Sequence, residues 1–137
     1  MVHSSHSPRQ TESIAAALAQ TLQAGQCIAL NGPLGAGKTQ FVRGLAFGLG
    51  APGRAVSSPT FVLLNIYRGG RIPLFHLDAY RIAASEDFEA IGFPELLEQN
   101  GLVVVEWATR VENLLPPKRI NVTLEVTGKT DRQIVIG

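Results

Sequence analysis

Two short runs in this chain are apolar almost throughout and lead straight into chemically distinctive residues: 26–30 (Gln-Cys-Ile-Ala-Leu) and 102–105 (Leu-Val-Val-Val), the latter between Gly101 and Glu106. Runs of this length without polar alternation predict strands covered on both faces, as in the parallel core of an α/β sheet. Around them the period lengthens. Residues 8–24 place Ile14, Ala17, Leu18, Thr21 and Leu22 at helical spacing, with Ser7 before Pro8 as the cap and Gly25 as the stop. Residues 38–49 do the same with Phe41, Val42, Leu45, Ala46 and Leu49, ending at Gly50 with Pro52 just beyond. Gly44 and Gly48 lie inside this second helix. Each costs up to about 1 kcal/mol against alanine, so their four-residue spacing predicts a face pressed closely against another backbone.

The remaining pattern is mixed. Strand-like residues 61–67 and 71–78 flank Arg68-Gly69-Gly70 and predict an antiparallel hairpin. Residues 83–99 are helical in composition but broken by Gly92 and Pro94, which predicts two short helices, the first opened by Ser85 with Glu86 and Asp87 in its first turn. Residues 109–115 suit about two helical turns before Pro116-Pro117. Residues 120–126 and 133–136 alternate as strands around a turn at 127–131. Residues 1–7 read as a frayed, disordered tail, leaving 8–137 as a single domain.

Composition narrows the class. A chain of 137 residues, 45% hydrophobic and 17% charged, can bury one real core and has no room for a second. Twelve Lys and Arg against 11 Asp and Glu give a net charge of +1, and Lys118-Arg119 is the only adjacent basic pair, which argues against a nucleic-acid footprint. No run reaches the ~18 apolar residues of a membrane span, and residues 1–10 are too polar for a signal peptide, so a cytoplasmic protein is expected. Cys27, the single cysteine, sits in an apolar run and reads as a buried, inert thiol.

The candidate chemistry begins at Gly32-Pro33-Leu34-Gly35-Ala36-Gly37-Lys38-Thr39. It fits G-x-x-x-x-G-K-[ST], the Walker A phosphate-binding loop, and it joins a predicted strand to a predicted helix, the context the motif requires. Polyphosphate must be wrapped by backbone N–H groups, and side chains at Gly32, Gly35 or Gly37 would hold that backbone away. Lys38 is expected to reach the phosphates and Thr39 to offer its hydroxyl to Mg²⁺. Leu34, Ala36 and Gln40 complete the expected nucleotide contacts of the loop. An ordinary glycine-rich turn is the alternative reading.

Hydrolysis needs carboxylates at the ends of neighbouring strands. Glu106, closing the second apolar run, has the Walker B pattern; Asp78 ends a hairpin strand within His76-Leu77-Asp78-Ala79-Tyr80-Arg81, where a capping role is the competing reading. Thr60, after Ser58-Pro59, carries a hydroxyl at a predicted strand start, and Trp107 reads equally as a core anchor. The fold class that follows is α/β: a three-layer fold like that of P-loop NTPases, a mixed sheet with parallel core strands and antiparallel hairpins, flanked by helices.

Taken together, Leu-Gly-Ala-Gly-Lys-Thr at 34–39, Arg43-Gly44, Ser58-Pro59-Thr60-Phe61, Asn65, Tyr67, the segment 76–81 and Glu106-Trp107 with Arg110 resemble the TsaE (YjeE) ATPases of bacterial tRNA threonylcarbamoyladenosine synthesis. Pro33, Gln40 and Ile66 depart from the residues usual there. The resemblance implies that Lys38 and Thr39 bind phosphate and Mg²⁺, that Glu106 takes the Walker B role with Asp78 as a further catalytic and metal carboxylate, and that Thr60 and Trp107 border the nucleotide. It also implies ATP and Mg²⁺ as cofactors, weak hydrolysis by the isolated chain, and TsaB-like and TsaD-like partner subunits, with tRNA met only through the complex. Two other classes fit a P-loop. A small-molecule kinase would need an acceptor pocket and an arginine-bearing lid; a non-hydrolysing nucleotide-sensing module would need neither. A GTPase is disfavoured because no Asn-Lys-x-Asp motif occurs.

Overall fold

The computed structural model describes residues 1–52, 64–80, 82, 85–90 and 92–137. Seven strands form one sheet in the order β1-β7-β6-β2-β5-β4-β3. They are β1 (Val2–Ser5), β2 (Cys27–Asn31), β3 (Leu64–Tyr67), β4 (Leu74–Asp78), β5 (Leu102–Glu106), β6 (Ile120–Val126) and β7 (Arg132–Ile136). The inner strands β6, β2, β5 and β4 run parallel, whereas β7 and β1 on one side and β3 on the other are antiparallel. Helices α1 (Pro8–Ala19), α2 (Lys38–Gly48), α3 (Ser85–Ala90) and α4 (Phe93–Leu97) cover it, with 3₁₀ turns over Ala108–Leu114.

The absence of alternation in the inner strands follows from this layering. Ile28 and Leu30 of β2 join Phe41, Val42 and Leu45 of α2 in one core, while Cys27 and Ala29 join Phe88, Phe93 and Leu96 in a second core on the opposite face. Burial pushes the Cys27 thiol up to about 12, so it stays protonated and inert as expected. No helix among the described residues is long and apolar enough to cross a membrane.

Helix α1 is shorter than the predicted 8–24, and its deepest face differs. Thr11, Ala15 and Ala19 are buried, whereas Ala17 and Thr21 are exposed. Ser7 caps its start, accepting from the Gln10 N–H at 3.1 Å, and the Arg71 guanidinium ends it by donating to the carbonyls of Ala19 and Leu22, each at 2.6 Å. The small-residue stripe is what Gly44 and Gly48 require. A Cβ on Gly48 would lie 2.5 Å from the Ala16 carbonyl oxygen and 2.8 Å from the Ala19 Cβ, and one on Gly44 would strike the Glu12 carbonyl. Gly48→Ala is therefore expected to lower the thermal midpoint by about 5 °C despite alanine's higher helix propensity, because overpacking costs about 1–3 kcal/mol. Circular dichroism melting checks this; an unchanged or raised midpoint contradicts the close approach.

The expected tail at residues 1–7 is corrected. Val2–Ser5 pairs antiparallel with β7, Ser5 is buried, and its hydroxyl lies 2.7 Å from that of Thr11. The polar sequence Val-His-Ser-Ser carries no periodic signal; the strand is held by main-chain bonds to the otherwise open edge of β7.

Candidate nucleotide site

Strand β2 ends at Asn31 and the chain turns through residues 32–37 into α2, at the carboxyl edge of the parallel strands where open α/β sheets bind ligands. A side chain at Gly32 would meet the Leu124 carbonyl oxygen at 2.8 Å, so the loop starts flush against β6. Gly37, at φ 100°, caps α2 without any side-chain hydrogen bond, leaving the first-turn N–H groups and the positive end of the helix dipole to face a ligand. Ala36 is buried, Thr39 and Gln40 are half-buried on the first turn of α2, and Leu34 stands at the loop tip, 72% exposed.

Lys38 is buried beneath its own loop. Its Nζ donates to the carbonyls of Gly32 at 2.6 Å and Pro33 at 3.0 Å and lies 4.3 Å from the centre of the Trp107 ring. Burial pulls its pKa below the ordinary lysine value, opposed by the negative charges of Glu106 and Asp78. Those carboxylates are register neighbours at the ends of β5 and β4, and Glu106 is also the register partner of Leu30 on β2. Strand parity puts Asp78 and Glu106 on the α2 side of the sheet, since Leu74, Leu102 and Val104 all lie in the core that α2 shares. Asp78 Oδ1 accepts the Tyr80 N–H at 2.8 Å, so the capping role and a place in the site coexist. Burial pushes the Asp78 carboxyl above its usual range, the Tyr80 N–H opposes that, and the Glu106 charge adds to it.

Glu106 has a support that motif reading passed over. Its Oε2 is hydrogen-bonded to His76 Nε2, both side chains being buried, and His76 Nδ1 lies 3.2 Å from the Tyr67 hydroxyl. With a proton on Nε2 the imidazole donates to Glu106, and Nδ1 is paired with the Tyr67 hydroxyl, so both ring nitrogens have partners. The available signal was parity, because His76 lies two residues before Asp78 on one strand and so shares its face. Trp107, at φ 55°, is directed over Lys38, and its ring meets that of Tyr80 at a tilt of 47° with centroids 4.8 Å apart, the Arg110 guanidinium lying 5.4 Å from the centre of the Tyr80 ring. Thr60, with Ser58, Pro59, Phe61 and Arg81, lies outside the described residues.

The loop, Lys38, Asp78, Glu106 and Trp107 thus converge on one edge, and comparison with known proteins gives the arrangement a family. The family model of "Threonylcarbamoyl adenosine biosynthesis protein TsaE" matches residues 5–134. The chain belongs to the TsaE family. It is 40% identical over 132 residues to a TsaE protein of Treponema pallidum, covering 96% of each chain, and 39% identical over 127 residues to that of Bacillus subtilis, covering 93% of this chain and 78% of the relative. The fold agrees: a crystal structure of YdiB from Bacillus subtilis superposes with a TM-score of 0.82 at 32% identity, over 99% of this chain and 83% of that one. The expected mixed α/β class thus holds for a TsaE protein with parallel core strands and antiparallel flanks.

Proposed function

We propose that this protein binds ATP with Mg²⁺ at the loop from Gly32 to Thr39 and hydrolyses it slowly, in the service of threonylcarbamoyl modification of adenosine in tRNA. The observation that carries this reading is the convergence of Lys38 with Asp78 and Glu106 at the mouth of an uncapped helix. The backbone of residues 35–39 would cradle the phosphates, with Leu34 and Gln40 at the loop's margins and Thr60 and Trp107 bordering the nucleotide. Lys38 would exchange the Gly32 and Pro33 carbonyls for phosphate oxygens.

The donor set suits Mg²⁺. No group of three or more His, Cys, Asp and Glu among the described residues could cage an ion, whereas the Thr39 hydroxyl with Asp78 and Glu106 offers the one or two carboxylates and open positions that Mg²⁺ takes beside substrate phosphates and water. Bound there, the ion would neutralise charge on the transferring phosphoryl group. Glu106, fixed by His76, and Asp78, fixed by the Tyr80 N–H, hold one oxygen each and keep a second for the metal or the attacking water.

The reading extends to TsaB-like and TsaD-like partners. Leu34, exposed at the loop tip, and Tyr80, partly exposed against Trp107, are apolar surfaces that a docking subunit would cover, excluding water and supplying charge in trans. A cation supplied in that way contributes about 10³ to 10⁵ in rate in other P-loop systems. Single-turnover hydrolysis of ATP·Mg²⁺ is the test. The chain alone is expected to be slow and to bind no tRNA by itself, with turnover rising on addition of a TsaB–TsaD pair; a high rate from the isolated chain contradicts the partner requirement.

A further inference from the structure

The outer side of the phosphate loop is held by one side chain from the far end of the sequence. Arg132, the first residue of β7, donates through Nε to the Ala36 carbonyl at 3.2 Å and through Nη2 to the Gly35 carbonyl at 3.0 Å. Its Nη1 donates to the carbonyls of Gly128 at 3.1 Å and Asp131 at 2.8 Å, in the turn between β6 and β7. The planar fork therefore joins two loop carbonyls to two turn carbonyls, a geometry that a lysine ammonium cannot reproduce. Little else packs there: a cavity of about 250 Å³ lies between the loop, the start of α1 and this turn, with Thr11, Gln40 and Lys129 among its walls.

We infer that Arg132 is a positioning residue of the phosphate loop. Every peptide bond among the described residues is trans, so the N–H of each peptide points opposite to its C=O. Drawing the Gly35 and Ala36 carbonyls outward onto the guanidinium turns the Ala36 and Gly37 N–H groups inward. The Ala36 N–H is taken by the Pro33 carbonyl at 3.1 Å, which closes the turn and leaves the Gly37 N–H facing the phosphate side. A cation on the carbonyl ends of these peptides also polarises them in the sense that favours an anion at the N–H ends. The β6–β7 turn is closed by the Thr127 N–H on the Asp131 carbonyl at 3.1 Å and carries a surface contact from His6 Nδ1 to Asp131 Oδ1 at 2.8 Å.

This inference rests on the reading of the loop as a nucleotide site, and calorimetric titration with ATP·Mg²⁺ separates the two. The parent, Arg132→Met and Arg132→Lys are compared well below their unfolding midpoints, with folding confirmed by circular dichroism. Arg132→Met is expected to bind about tenfold more weakly or worse, the size of one lost charge-assisted hydrogen bond, and Arg132→Lys to be weakened by at least about threefold. An Arg132→Ala variant, which vacates the side chain's space, should lose affinity as the methionine variant does and regain it in millimolar methylguanidinium, with the parent unchanged. Folded variants that bind within twofold of the parent, whatever their melting temperatures, would overturn the inference. If the methionine variant does not fold, the lysine variant decides by the same criterion. A parent that binds no nucleotide would refute the site itself.

Discussion

Lys38→Ala is expected to weaken ATP·Mg²⁺ binding by about a hundredfold, the scale of two charge-assisted hydrogen bonds lost from a buried ammonium. The estimate already allows for what Lys38 gives up, since its two carbonyl bonds to Gly32 and Pro33 must be exchanged for phosphate contacts. Those carbonyls belong to a partly exposed loop and can be rehydrated once the side chain is removed, so stability should change little. The ammonium is also a cation that Glu106 and Asp78 face, and its removal leaves the metal ion alone to offset two buried carboxylates beside an incoming polyphosphate. Lys38→Arg should fail as well, because a planar guanidinium cannot occupy the compact space between the two carbonyls and the Trp107 ring. Calorimetry decides; parental affinity in the alanine variant would remove the basis for the site.

Glu106→Gln should separate binding from chemistry. The amide oxygen can still accept the His76 Nε2–H, so the buried contact and the strand end survive while the charge is lost. On the metal side an NH₂ donor then replaces an acceptor. Hydrolysis is expected to fall by about 10² to 10³, with nucleotide affinity within about threefold, because metal and water orientation matter most in the transition state. Asp78→Asn should behave alike, since its amide oxygen can keep the Tyr80 N–H. Single-turnover rates with saturating partner subunits, set beside calorimetric affinities, provide the check. Parental hydrolysis in both variants would mean that these carboxylates do not serve the reaction.

How far the sequence carried the fold depended on whether order was local or long-range. Strand β5, the hairpin of β3 with β4 and the break between α3 and α4 rest on signals within a few residues: an apolar run, Gly69-Gly70, and Gly92 with Pro94. The close packing of α2 was readable because two glycines four apart have no other reason to be in a helix. Strand β1 was not readable, since the pairing partner that makes Val2–Ser5 a strand lies more than 120 residues away. The end of α1 depends similarly on Arg71, some 50 positions on. In the site, the loop and both carboxylates announced themselves by motif and strand end. The grip of Arg132 did not, because nothing in its immediate neighbours marks it. Tyr67 and His76 stood among the motif residues, but their link to Glu106 runs between strands and is not set by spacing along the chain.

Trp107 is the one non-glycine among the described residues at positive φ, and it stands where β5 gives way to the 3₁₀ turns. For so bulky a side chain that backbone costs about 1–3 kcal/mol, which the surrounding contacts must offset. Its N–H bonds the Leu30 carbonyl at 3.0 Å, the Thr109 N–H bonds Asn31 at 3.3 Å, and the ring is clasped between Lys38 and Tyr80. A glycine there would relax the joint and deprive the lysine of its aromatic cover. This position thus sets resistance to unfolding against a fixed indole: the molecule carries a backbone less comfortable than its chain could adopt, so that an aromatic ring is already in place over Lys38, where the proposed site would receive phosphate.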